Sequence, residues 1–178
     1  MAGEGSVDEL DSAIVRALQE DGRQTNRDLA ERLGIAPSTC LERVRALRDR
    51  GVITGFHAEV DLAALGRPVQ ALINVRLHPK TREAVNAFRD HVTALPETIA
   101  VFVVSGGDDF IVQVAVRDPG DLRDFVLDHV ARHRHIADVR TSLVYDHIRK
   151  TAVEVPPDRA GGGRVTPRPA RRGRAAGT

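Results

Sequence analysis

Cysteine is nearly absent, with Cys40 the only one in 178 residues. A single thiol excludes an intramolecular disulfide and any zinc site built on several cysteines, and it fits a reducing compartment. Long apolar runs are missing too. No stretch approaches the roughly 18 apolar residues of a membrane helix, and the opening MAGEGSVDEL has no basic segment leading into an apolar core. The expectation is a cytoplasmic protein. Excess charge is the third absence: 26 Lys and Arg stand against 25 Asp and Glu, for a net charge of +1. So balanced a total does not attract a polyanion, and any nucleic-acid binding has to come from local clustering.

The length suits one medium domain or two small ones, and the charges divide it unevenly. Residues 1–60 carry 8 Arg and 11 acidic residues, residues 61–150 carry 12 of each sign, and residues 151–178 carry 6 Arg and 2 acidic residues. The last stretch holds Pro156, Pro157, Pro167, Pro169 and a run of three glycines from Gly161, with almost no large apolar residue. Such a composition cannot repay the entropy of folding, so residues 150–178 read as a disordered tail, and residues 1–6 as a flexible N-terminus. The tail arginines offer a salt-sensitive attraction to phosphates.

Residues 7–60 read as three helices and a wing. Leu10, Ile14 and Leu18 recur at spacing four between Asp8 and Asp21. Thr25 and Asp28 resemble a capping box for a short second helix that stops at Gly34. Pro37 suits the first position of a third helix, with Cys40, Val44 and Leu47 facing inward until Gly51. The short link between the second and third helices makes a helix-turn-helix candidate. With its apolar stripe inward, the third helix turns Ser38, Thr39 and Glu42 outward and sets Arg43, Arg45 and Arg50 on its flanks. That pattern suits entry into the major groove of double-stranded DNA, hydroxyls and carboxylate meeting base edges and guanidinium groups meeting phosphates or guanine. An ordinary charged surface helix is the alternative. The β-prone residues Val52–Val60 around Gly55 read as a small hairpin, and residues 61–67 as a linker.

Residues 68–149 alternate period. Val69, Ala71, Ile73, Val75 and Leu77 share one face of a strand, whereas Val85, Phe88, Val92 and Leu95 follow helical spacing. Two β-branched runs, Ile99–Ser105 and Phe110–Val116, flank Gly106-Gly107-Asp108-Asp109 as a hairpin. A helix capped by Asp118 and a last strand over Val139–Tyr145 complete the order βαββαβ. The fold class is therefore α+β, a winged helix-turn-helix followed by a ferredoxin-like unit with both helices on one face of an antiparallel sheet. The central strands are apolar on both faces, which predicts a homodimer packed sheet to sheet, unless the tail or the first domain covers the second face.

The segments LAERLGIAPSTCLERVRALRDRGVI, ITGFHAEVDLAALG, SGGDDFIVQV and ADVRTSLVY, in that order and spacing, closely resemble the Lrp/AsnC (feast/famine) family of transcription regulators, over about Val7 to Arg149. The resemblance implies a winged helix-turn-helix that reads DNA. It also implies a ferredoxin-like domain that dimerises, assembles further and binds a small effector, commonly an amino acid. The family's effector site, between neighbouring subunits, maps to Gly106, Asp109, Thr141 and Ser142. Its usual G-D-x-D reads Gly106-Gly107-Asp108-Asp109 here, without the first carboxylate. A related layout occurs in tetrapyrrole decarboxylases, which stands as the enzyme alternative; an oligomeric metabolite-binding module without DNA contact is a third. His129, His133 and His135 lack the acidic or thiolate partners of a zinc site. No catalytic residue, metal or cofactor is expected.

Overall fold

The computed structural model describes residues 7–154 and 156. Local signals set the first three helices. Asp8 caps α1 (Glu9–Glu20) by accepting from the Asp11 amide at 2.7 Å. Both halves of the Thr25–Asp28 capping box form at α2 (Asn26–Leu33), and Gly34 ends that helix at φ +66°, a conformation that favours glycine. Pro37 occupies the first turn of α3 (Pro37–Asp49). The three helices enclose a small core of Ile14, Ala17, Leu29, Ala30, Cys40 and Leu47. Two compact units are present. Of the described residues, one unit holds those from 7 to 56 together with those from 150 onward, and the other spans His57–Arg149.

The hairpin expected over Val52–Val60 does not form: residues 52–68 contain no strand. The amides of Val52 and Ile53 instead donate to the Leu47 carbonyl and close the end of α3. A two-stranded hairpin is marginal by itself, and among the described residues no other strand pairs with this stretch. The stretch expected to be a linker contains a turn in which Asp61 accepts from the Ala63 amide and Gly66 adopts φ +76°.

The second unit has the order β1 (Val69–Leu77), α4 (Arg82–Thr93), β2 (Thr98–Val103), β3 (Phe110–Val116), α5 (Pro119–Phe125), β4 (Ile136–Val144). Its sheet runs β2-β3-β1-β4 with every pair antiparallel. Strand alternation sorts the two faces. Ala71, Ile73, Val75 and Leu77 of β1 and Phe110, Val112, Val114 and Val116 of β3 are buried with Ala84, Phe88 and Val92 of α4 and Leu122 and Phe125 of α5. Leu72, Ile111 and Phe102 share the other face, with Phe102 opposite Ile111 and Leu72 opposite Gln113, and Phe102 remains half exposed.

The helix expected after Asp118 is two pieces, because α5 runs into a π-helical turn over Val126–Val130. The Ala131 amide reaches back to the Val126 carbonyl at 2.8 Å. Residues 150–154 have no regular structure. The rest of the expected tail and the expected flexible N-terminus lie outside the described residues, apart from Pro156. Among the described residues, no helix is long and apolar enough to cross a membrane.

Candidate nucleic-acid interface and effector site

The exposed side of α3 carries the residues expected to meet DNA, but the structure gives them two different employments. Ser38, Thr39, Glu42 and Arg45 are exposed, and among the described residues Glu42 and Arg45 make no ion pair. Arg43 and Arg50 are occupied. Arg43 pairs with Asp8 and reaches Asp11 at 3.1 Å, and Arg50 reaches the other carboxylate oxygen of Asp11 at 2.8 Å. Asp11 is 4 % exposed, so its charge depends on these two guanidinium groups. The backbone amide of Asp11 and the Arg43 guanidinium together hold the Asp8 carboxyl below the usual range, and the same pairing raises Arg43. The network ties α1 to α3 and sets the pose of the helix.

Asp8 and Asp11 were not picked out as functional by sequence reasoning. The available signal was position: Asp11 lies three residues before Ile14, on the apolar side of α1, where a carboxylate needs a cation.

The expected effector residues do not converge within one chain. Asp109 is buried at the β2–β3 hairpin, its amide donating to the Val75 carbonyl at 2.9 Å and its Oδ2 accepting from the Leu77 amide at 2.9 Å. Lys80 pairs with Oδ1. Burial alone would raise the Asp109 carboxyl, but the Lys80 ammonium and the Leu77 amide outweigh it, and the group sits below its ordinary value. Gly106 turns the hairpin at φ +130°. Asp108 pairs with Arg140 of β4. Thr141 stands opposite Ile73 and Ser142 opposite Leu72, so strand alternation points them to opposite faces of the sheet. Along β1 they lie three to four residues from the level of Asp109, roughly 10–13 Å at the rise of a strand.

An open cavity of about 480 Å³ lies elsewhere in this unit, lined by Arg67, Glu97, Arg117, Asp121, Phe125 and His129 among others, and by none of the four expected effector residues. His129 of this lining belongs to a cluster of four histidines with His91, His133 and His135. His91 Nε2 is 2.9 Å from the His129 carbonyl, and the His91 and His133 rings are 5.8 Å apart, as are those of His133 and His135. Among the described residues, no group of three His, Cys, Asp or Glu side chains is placed to hold a metal ion.

His133 Nδ1 is buried with no hydrogen-bond partner. Burial, and then the neighbouring His91, His135 and Arg134, push the His133 imidazole below its ordinary value. The folded state therefore binds fewer protons than the unfolded chain between the folded and the ordinary value, and stability rises with pH there. This contribution is at its best above the ordinary histidine range and is lost as pH falls through the lowered value. His133→Gln should flatten that part of a melting-temperature profile; a profile identical to the parent's would contradict the assignment.

Residues 7–54 match the winged helix-turn-helix DNA-binding family, and residues 70–153 match the Lrp/AsnC ligand binding domain. The HTH-type transcriptional regulator AldR of Mycolicibacterium smegmatis is 43 % identical over 143 residues, covering 80 % of this chain and 84 % of the relative. The chain belongs to the Lrp/AsnC family of transcriptional regulators. Among solved structures, the L-Met complex of a transcriptional regulator from Neisseria meningitidis aligns with a TM-score of 0.77 at 31 % identity, covering 85 % of this chain and 97 % of that one. The feast or famine regulatory protein of M. tuberculosis complexed with L-methionine aligns at 0.75 with 25 % identity, covering 85 % and 100 %. This Lrp/AsnC regulator thus shares both units with its relatives, and its family match ends at residue 153.

Proposed function

We propose that this Lrp/AsnC regulator places the first two turns of α3 in the major groove. Ser38, Thr39 and Glu42 then meet base edges and Arg45 meets a guanine edge or a phosphate, with Arg43 and Arg50 holding the helix rather than reading DNA. The observation that carries this reading is the division on one helix between arginines occupied by Asp8 and Asp11 and a tip whose polar groups face outward. The test is binding to the DNA upstream of its own gene. Arg45→Ala should weaken binding by about 1–3 kcal/mol if it reads a base, with an unchanged melting curve. Equal affinity in the variant would refute the assignment.

The second unit, in this reading, pairs with another copy through the open sheet face that carries Leu72, Ile111 and Phe102, because apolar area left in water forfeits roughly 25 cal/mol per Å². The DNA site is then a pair of related half-sites, and the protein works in the cytoplasm. The effector is an amino acid bound at the Asp109 hairpin. The two L-methionine complexes among its structural neighbours support that class of ligand. Asp109 serves as the pin for Lys80, whose exposed ammonium, with the hairpin amides, takes the α-carboxylate.

A melting screen of the common amino acids should find one that stabilises by about 2.7 kcal/mol at a hundredfold excess over its dissociation constant. Lys80→Ala should abolish the shift. A shift that survives that substitution moves the ligand away from the hairpin, and the 480 Å³ cavity becomes the place to look.

A further inference from the structure

Most supports of α3 are apolar or lie beyond its first turn. Cys40 and Leu47 are fully buried in the small core, and Asp11 takes Arg43 and Arg50 farther along the helix. The N-terminal end has Ala36 at the N-cap position, so no side chain closes the first turn. Apolar contact has no preferred direction and resists rotation about the helix axis only weakly. Rotation matters at this end. A turn of about 20° on a helix of roughly 5–6 Å outer radius carries a side-chain end by about 2 Å, more than a hydrogen bond tolerates. The exposed Ser38 and Thr39 are the residues that such a turn would misplace.

Among the described residues, one side-chain hydrogen bond reaches that first turn: Asn26 Nδ2 donates to the Pro37 carbonyl at 2.8 Å, from α2 to α3. The donor stands on a rigid base. Asn26 is the first residue of α2 and follows Thr25, whose amide and hydroxyl both donate to Asp28. Gln24 before it donates to the Ala17 and Asp21 carbonyls at 2.8 and 2.7 Å, and Leu29 and Ala30 bury the inner side of the helix. The acceptor keeps its place in the helix ladder, because a carbonyl oxygen has two lone pairs. Pro37 immediately precedes Ser38 and Thr39, so the bond is made at the point where rotation would do most harm.

We propose that Asn26 is a positioning residue for sequence discrimination: its amide fixes the rotation of α3 at the groove-entering end, and with it where Ser38 and Thr39 meet base edges. Asn26 itself reads no base. Phosphate contacts carry no sequence information, so the fixed rotation is felt only where a hydroxyl must meet one base edge and not another. This rests on the reading of α3 as the groove-entering helix.

The experiment compares the full chain with Asn26→Ala, a change at a partly exposed position that keeps a good helix former in the first turn of α2. Affinity is measured for the DNA upstream of the gene and for a scrambled duplex of equal length, and amide exchange is followed in the free protein. Asn26→Ala should lower the ratio of the two affinities by about fivefold, the worth of one hydrogen bond, at an unchanged affinity for the scrambled duplex and a nearly unchanged melting curve. Exchange should rise at Cys40, whose amide donates to the Ala36 carbonyl at 3.0 Å, and not at Val44 or Leu47. Combined with Thr39→Ala, the loss of discrimination should be smaller than the sum of the two single losses, because the hydroxyl that Asn26 positions is already gone. A ratio equal to the parent's, full additivity with Thr39→Ala, parental exchange at Cys40, or an equal loss for both duplexes, as from a phosphate contact, would each overturn the proposal. Failure of the groove reading has a separate signature, in which the full chain binds both duplexes alike and neither Arg45→Ala nor Thr39→Ala changes them, while exchange at Cys40 still responds to Asn26→Ala.

Discussion

Phe88→Ala is expected to destabilise the second unit by about 3–5 kcal/mol, read as a lower urea midpoint at an unchanged slope. Phe88 is fully buried on α4 and meets Phe110 edge to face at 4.9 Å and the His133 ring at 5.3 Å. Its removal deletes a large buried ring and leaves a cavity between the helices and β3 that neither strand nor helix can close. The effect reaches function because the same sheet carries, on its reverse side, the face through which the protein is proposed to pair. A loss below about 1 kcal/mol would mean that the ring is not packed as described.

Asp11→Ala should lower the stability of the N-terminal unit by about 2 kcal/mol, a drop of roughly 10 °C or more for a unit of that size. Both carboxylate oxygens of Asp11 accept from guanidinium groups, Oδ1 from Arg43 and Oδ2 from Arg50. A full buried-pair penalty is not expected, because the Arg43 and Arg50 side chains are 38 % and 31 % exposed and turn to water once the carboxylate is gone. DNA affinity should fall with stability in this variant, since α3 loses its tie to α1. That behaviour separates it from Arg45→Ala, which is expected to change affinity alone. An Asp11→Ala protein that melts with the parent would remove the ion-pair network from the account of how α3 is held.

Much of the architecture was legible in local signals. The Thr25–Asp28 box, Gly34 and Pro37 mark helix ends that form as written, because capping is decided within four residues of chain. The alternation of Val69 through Leu77 was equally readable, since a strand with one dry face must repeat every second residue. Two local readings failed where the chain offers no support or adds a residue to a turn. Val52–Val60 has β-prone residues but no neighbouring strand among the described residues, and the apolar stripe from Leu122 to Val130 runs into a π-helical turn despite its helical spacing.

The functional residues divide along the same line. The amino-acid order alone determined which helix carries the polar tip, where the arginines lie along the chain and that the second half folds as βαββαβ, because periodicity and capping act over short spans. Only the tertiary structure decided that Arg43 and Arg50 belong to Asp8 and Asp11 while Arg45 faces outward, that Asp109 holds Lys80, and that Thr141 and Ser142 look to opposite sides of the sheet. The reason is that a charge is assigned by the partner that folding brings within a few ångströms, and those partners lie about 30 or more residues away.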